Sequence, residues 1–148
     1  MPRKISRSIL ALLITLGGYA WAEEQLPRSP SPESAELYFI TPQDGAVVPP
    51  TFTVRFGLRG MGVAPAGIDA PNTGHHHLLI DLDEQPSPEV PLPANDQVKH
   101  FGAGQTETDV TLAPGTHTLQ LILGNHLHIP HDPPVVSEKI TITVSEPR

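Results

Sequence analysis

The chain has no cysteine and few aromatic side chains. None of its 148 residues is Cys, and only 5% are Phe, Trp or Tyr. It can therefore form neither disulfides nor thiolate metal sites, and its fold must be stabilised by burial and hydrogen bonding. The shortage of aromatic residues also argues against a carbohydrate-binding surface, because such surfaces rely on exposed aromatic faces.

Positive charge is scarce as well. Nine Lys and Arg stand against sixteen Asp and Glu, which gives a formal net charge of −7 at pH 7 with histidine neutral. A surface of this sign repels the phosphate backbone, so we expect no nucleic-acid partner. It attracts cations, but weakly and without selectivity.

Long apolar runs are absent except near the N-terminus. Arg3, Lys4 and Arg7 precede the run ILALLITLGGYA, and AWA at 20–22 has the form of a signal-peptidase site. The run is shorter than the roughly 20 apolar residues that a membrane-spanning helix needs. We therefore expect a signal peptide at residues 1–22, a periplasmic or secreted protein, and no transmembrane segment after cleavage.

Proline and glycine, by contrast, are abundant and divide the chain into short pieces. Residues 23–35 are rich in Pro, Ser and Glu and predict a flexible tether. From 36 to 148, apolar residues alternate with period two, which predicts an all-β, immunoglobulin-like antiparallel β-sandwich of about seven strands. The predicted strands are 36–41, 51–58, 75–83, 106–112, 116–124 and 136–144, with long loops at 59–74, 84–104 and 125–134.

Histidine is the other abundant residue, with eight copies. GHHHLLID at 74–81 opens the third long strand, and NHLHIPH at 125–131 follows the fifth. In an immunoglobulin-like sandwich these two strands are antiparallel neighbours, so their histidines should meet at one end of one sheet. The candidate metal ligands are His75, His77, His126, His128, His131 and His100. Whether His100, which follows a long loop, reaches the others is left open by the sequence.

Strand parity separates the three consecutive histidines. His76 shares the parity of Leu78 and Ile80, whose apolar row faces the core. We expect His76 to be a buried, hydrogen-bonded group or a partner that orients a ligand. His75 and His77 then lie together on the other face, about 6–7 Å apart, a spacing at which two imidazoles can bind one cation.

His117 has a different expected role. In LAPGTHTLQL it follows a turn and opens an alternating strand. Sandwiches of this type often carry a tyrosine at that corner, and its side chain bonds back to the turn. The pattern predicts a structural corner rather than a metal ligand.

Imidazole ligands without thiolates suit copper(II) or zinc(II), and the sequence does not choose between them. Loading should fail below about pH 6, because an imidazole must lose its proton to bind a metal. We expect a carrier, a buffer or an accessory protein. Two alternatives remain: a metal-free interaction module that docks an envelope protein, which the long apolar loop GMGVAPAG would suit, and a metal-dependent enzyme. The enzyme is disfavoured, because no motif supplies a catalytic residue.

Three blocks of the sequence resemble a bacterial secreted family known as domain of unknown function 4399. They are GMGVAPAG…NTGHHHLLID, HFGAGQTE, and LAPGTHTLQL…GNHLHIPHDPPVVSEKITITV. The resemblance spans residues 36–144 and implies a small exported domain without an established activity. A looser resemblance links the chain to immunoglobulin-like domains in which a strand HxH faces a later histidine. The matching residues would be His75, His77 and His126.

Overall fold

A computed structural model describes residues 26–147 of the chain. This part contains strands and no helix, which confirms the all-β prediction. The strands are β1 (Glu36–Thr41), β2 (Val47–Val48), β3 (Thr51–Arg59), β4 (Gly62–Val63), β5 (Thr73–Ile80), β6 (Val98–His100), β7 (Glu107–Thr111), β8 (Gly115–Gly124) and β9 (Ile140–Val144).

The strands form two sheets with the connectivity of an immunoglobulin-like β-sandwich. One sheet has the order β1-β3-β7, and the other has the order β2-β9-β8-β5-β4 with β6 also pairing with β5. All pairs are antiparallel except β2 with β9 and β4 with β5. The antiparallel neighbours β5, β8 and β9 are those that the sequence predicts.

The core lies between the two sheets and is built from alternate residues of each long strand. On β3 the buried positions include Phe52, Val54 and Phe56, and on β8 they include Leu119 and Leu121. Polar residues alternate with them on β3, as the period-two pattern requires. Burial of these rows therefore fixes which way each strand faces.

The predicted strand bounds differ from the observed ones mainly at strand ends. β1 matches its prediction, but β5 ends at Ile80 because Asp81 has a left-handed backbone with φ 53°. β9 begins at Ile140, and Val136 forms only an isolated bridge to Ile122. The short strands β2, β4 and β6 have two or three residues each, too few to show alternation in the sequence.

The period-two alternation predicts one buried and one exposed face for each strand, and β5 departs from this prediction. Seven of its eight residues are buried. On its outer face Leu79 packs with Leu92, Val98 and Ile122 in a second apolar cluster. The loop from 84 to 97 supplies Leu92, so a segment without regular structure covers the sheet. His75 and His77 are also buried, although they face away from the main core, and their rings pack against those of His100 and His128.

The N-terminal segment also differs from its prediction as a flexible tether at 23–35. Its described residues pair with the loop after β8: Ser31 N donates to Asp132 O at 3.2 Å and Asp132 N donates to Ser29 O at 2.9 Å. Composition shows that this segment has little to bury, but it does not show main-chain hydrogen bonds to another loop. Residues 23–25 and the predicted signal peptide at 1–22 lie outside the described residues. Within residues 26–147, no helix is long and apolar enough to cross a membrane.

Candidate metal centre

The pairing of β5 with its neighbours determines which histidines meet. His75 lies opposite Gly124 and His77 opposite Ile122 on β8, so the start of β5 adjoins the end of β8. On its other side, β5 pairs with β6, and His77 lies opposite His100. The two long-range pairings bring segments about 25 and 50 residues away in sequence to the same place, and the short strand β6 settles where His100 lies.

Four of the candidate ligands form one cluster: His75, His77, His100 and His128. Each offers one ring nitrogen, and these four nitrogens all lie within 4.8 Å of one another. Within the cluster, His75 Nε2 lies 3.0 Å from His128 Nδ1, a hydrogen-bonding distance. His75 and His77 are fully buried, His128 is half-buried and His100 is exposed, so solvent reaches the cluster at His100 and His128.

Glycine allows two of these rings to lie against the backbone. A Cβ at Gly124 would lie 2.8 Å from His77 Cε1, and a Cβ at Gly102 would lie 2.3 Å from His100 Cε1. Both separations are shorter than side chains tolerate. His77 is fully buried and cannot move away, so position 124 requires glycine for space, whereas the exposed ring of His100 can rotate away from position 102. The glycine in LGNHLH is therefore the sequence signal that accompanies the cluster.

His128 enters the cluster from a tight turn. Asn125 Oδ1 accepts hydrogen bonds from Leu127 N at 2.9 Å and Ile129 N at 3.0 Å, and His128 N donates to Asn125 O at 2.9 Å. His128 itself has a left-handed backbone with φ 66°. An asparagine that caps its own turn reverses the chain immediately after β8, which directs His128 back to the sheet.

The structure does not bring His126 or His131 into the cluster. His126 Nδ1 lies 3.4 Å from Asp69 Oδ1. The buried ring of His131 lies with Nε2 3.0 Å from Thr73 O. The expectation that all the histidines after β8 join the cluster is therefore wrong for His126 and His131, because the chain turns at Asn125 and no longer continues the strand.

His76 faces the core, as its parity predicts, and its ring centroid lies 5.1 Å from that of Phe56. It lacks the well-formed hydrogen bonds that we expect from sequence: neither ring nitrogen meets the distance and angle of a hydrogen bond within the described residues, and the main chain of Gln105 is only a weak partner. Burial lowers the pKa of His76 to about 4. The imidazole therefore packs in the core as a neutral aromatic ring beside Phe56.

The environment of the cluster favours the neutral form of three of its rings, those of His75, His77 and His100. Burial, and secondarily the nearby imidazoles, lower the pKa of His75 to about 4 and of His77 to about 3. The pKa of His100 is lowered by the same two causes. A neutral imidazole has a free lone pair for a metal, so the expected lower pH limit for loading moves below the value of about 6 inferred from ordinary histidine.

The arrangement of nitrogen atoms is close to what a metal requires. Zn–N bonds of 2.0–2.1 Å place the nitrogens of a tetrahedral site about 3.3 Å apart. The His75–His128 contact of 3.0 Å already lies near that value, while the widest separation in the cluster reaches at most 4.8 Å. The buried atoms His75 Nδ1, His77 Nδ1 and His77 Nε2 have no hydrogen-bond partner among residues 26–147. Ring movements of about 1 Å would bring the four nitrogens to the separations of a tetrahedral metal site.

At the other end of β5, His117 occupies the predicted corner. Its Nε2 lies 2.8 Å from Ala113 O in the preceding turn, and its Nδ1 lies 2.7 Å from Asp81 Oδ2. The Asp81 hydrogen bond is the main reason that the pKa of His117 is raised. Asp81 also accepts from Thr118 N at 2.9 Å, so this pair ties the end of β5 to β8.

Fold and site together define an immunoglobulin-like β-sandwich with a four-histidine cluster at one end of its larger sheet. The chain belongs to the family described as Domain of unknown function (DUF4399), whose model matches residues 54–145 and so includes all four histidines. A search of curated proteins finds no match. The chain is similar to a solved structure described as Clostridium thermocellum CbhA fibronectin(III)-like modules, with 13% identity and a TM-score of 0.40. That alignment covers 76% of this chain and 99% of the other.

Proposed function

We propose that this protein binds one copper(II) or zinc(II) ion through His75, His77, His100 and His128. The observation that carries the proposal is that four imidazole nitrogens from three separate segments lie within 4.8 Å of one another. Long-range pairing of β5 with β6 and β8 creates this meeting, so it does not result from local sequence bias alone.

The chemistry of the four side chains supports a borderline metal. Neutral imidazoles without thiolates favour zinc(II) and copper(II), and copper(II) binds more tightly in the usual order of divalent ions. No carboxylate among the described residues joins the cluster, which disfavours calcium and magnesium because these ions take oxygen ligands.

The physiological role that fits this site is a carrier, a metal buffer or an accessory to a metalloenzyme, in the periplasm or outside the cell. The N-terminal sequence pattern supports export. The accessible side formed by His100 and His128 supports exchange of the ion with a partner.

Metal titration of untagged protein tests the proposal directly. We expect wild-type protein to bind one equivalent of zinc(II) or copper(II) with a Kd below about 10 μM, since a site with several imidazoles should exceed that affinity. His77→Ala should weaken binding by at least about tenfold, because it removes a buried ligand. His126→Ala is the matched control, since His126 lies outside the cluster, and it should bind as wild type does. Wild-type affinity weaker than the stated limit, or equal losses in both variants, would refute the proposal.

A metal-free interaction module is the second candidate. The observation in its favour is apolar exposure on the segment between β3 and β5, where Ile68 in the loop is 54% exposed and Val63 at the end of β4 is 37% exposed. Photo-crosslinking from position 68 in intact cells tests it. A protein partner captured equally by wild type and His77→Ala would favour this candidate over a metal-dependent role. An enzyme would instead require turnover, for example of superoxide or an ester, that metal-loaded wild type supports and His77→Ala abolishes.

A further inference from the structure

The N-terminal strap, defined here as residues 27–31, lies along the loop that follows the His128 turn. Ser29 and Ser31 exchange main-chain hydrogen bonds with Asp132, and Ser31 Oγ donates to Pro133 O at 2.6 Å. The strap lies about a hundred residues away from this loop in sequence. It restrains a segment of irregular backbone that strand pairing alone holds only through isolated bridges.

Arg28 makes the densest set of these contacts. Its Nε donates to Pro130 O at 3.2 Å, its Nη2 donates to His131 O, and its Nη1 lies 3.3 Å from Asp132 Oδ1. Only 22% of the Arg28 side chain is exposed. A guanidinium can satisfy two carbonyls and a carboxylate at once because its donors form a rigid planar fork, which lysine lacks.

A second contact links the strap to the turn itself. Asn125 Nδ2 donates to Ser29 Oγ at 3.1 Å and lies 3.4 Å from Pro27 O. The opposite atom of the same amide, Oδ1, accepts from the main chain on both sides of His128. The Asn125 amide thus contacts the strap through Nδ2 and the turn that carries His128 through Oδ1, so a change in one contact changes the other.

We propose that Arg28 is a positioning residue for the four-histidine cluster: through residues 130–132 it fixes the turn that holds His128 beside His75. This inference rests on the proposed function for its metal readout. It makes the N-terminal strap part of the metal site, although no strap residue is itself a ligand.

The test compares Arg28→Ala and Arg28→Lys with Arg55→Ala in the full chain. Arg55 forms an exposed ion pair with Glu107, with Nε–Oε2 2.9 Å, on the other sheet. In metal-free protein, ¹⁵N NMR of the imidazoles should show the His75–His128 hydrogen bond in wild type and Arg55→Ala and its loss in Arg28→Ala. Zinc(II) affinity should fall at least about tenfold in Arg28→Ala, the usual effect of removing a group that orients a ligand. Copper(II) EPR should report one imidazole fewer.

The lysine variant separates positioning from general stability. Arg28→Lys keeps the charge near Asp132 but offers one donor nitrogen where arginine uses three, so it cannot reproduce the contacts with Pro130 O, His131 O and Asp132 Oδ1 together. It should therefore also weaken zinc(II) binding, by less than Arg28→Ala does. It remains informative if Arg28→Ala does not fold. A His75–His128 hydrogen bond retained in the folded Arg28 variants overturns the proposal whether or not the protein binds metal. If wild type binds zinc(II), an unchanged affinity in those variants overturns it as well. Absence of metal binding in wild type, together with loss of that hydrogen bond in the variants, refutes the proposed function and leaves the positioning role supported.

Discussion

The position of the His77 ring depends on a glycine in the neighbouring strand. His77 lies against the backbone of Gly124, where a Cβ would come within 2.8 Å of its Cε1 atom and 3.3 Å of its Nδ1 atom. His77 is fully buried and has little freedom to move away. Packed interiors transmit such a displacement to their neighbours instead of absorbing it.

The residue-scale prediction concerns Gly124→Ala. The added methyl group should displace the His77 ring, lower the free energy of unfolding by about 1–3 kcal/mol as overpacking usually does, and weaken zinc(II) binding. Gly62→Ala is the control, because its new Cβ would meet nothing closer than Thr73 Cγ2 at 3.5 Å. Urea denaturation and metal titration provide the measurements. If the two variants have equal free energies of unfolding and equal zinc(II) affinities, the close approach of His77 to Gly124 is not a constraint.

At the scale of the element, β5 connects the four-histidine cluster to the His117 corner. Its first half supplies His75 and His77 to the cluster. Its end leads into Asp81, which binds His117 and the backbone of Thr118. The corner therefore fixes the register of β5 against β8, on which the meeting of His75 with the end of β8 depends.

The corner should stabilise the fold in a pH-dependent way. The folded-state pKa of His117 is raised above its ordinary value of 6.5, so its ionic contribution is complete below about pH 6.5 and is lost as the pH rises through the folded-state pKa. His117→Ala should lower the free energy of unfolding by about 1 kcal/mol or more at pH 6, and by less at pH 9.

Chemical denaturation at both pH values tests the corner prediction. Asp81→Asn is the companion variant, since it removes the carboxylate and should abolish most of the pH dependence that separates wild type from His117→Ala. A difference between wild type and His117→Ala that stays constant from pH 6 to pH 9 would contradict an ionic contribution.

At the scale of the whole molecule, burial of several histidines makes the metal-free fold sensitive to acid. The pKa values of His75, His76 and His77 are lowered from 6.5 to about 4, 4 and 3. Below pH 6.5 these histidines bind protons in the unfolded chain but not in the folded one. The free energy of unfolding therefore falls as the pH falls.

We expect His76→Leu to reduce this sensitivity to acid. Each such histidine contributes up to about 1.4 kcal/mol per pH unit between its unfolded and folded pKa values. Without His76, the loss of stability between pH 6.5 and pH 4.5 should be smaller by up to about 3 kcal/mol. At pH 8 the variant should be at least as stable as wild type, because leucine leaves no buried nitrogen unpaired beside Phe56. Urea titrations across this range measure the slope, and an unchanged slope would contradict the buried, neutral state of His76.

Alternation and turn residues predict most of the fold, and they predict how the three histidines of β5 and the corner histidine are oriented. The apolar rows of β3, β5 and β8 require one face of each strand to be buried, which gives the sandwich, the inward side chain of His76 and the shared face of His75 and His77. The corner at His117 follows from the turn before it. These features are local, or depend on a topology that few alternatives can replace.

Tertiary structure decided the rest, because irregular segments carry no periodic signal. The sequence by itself determined that histidines gather where β5 begins and β8 ends. The fold alone selected His100 and His128 and left His126 and His131 outside, through the short strand β6 and the turn capped by Asn125. It also buried the outer face of β5 under a loop and attached residues 27–31 beside that turn. Each outcome depends on contacts between segments that are distant in sequence. Local sequence patterns do not predict such contacts.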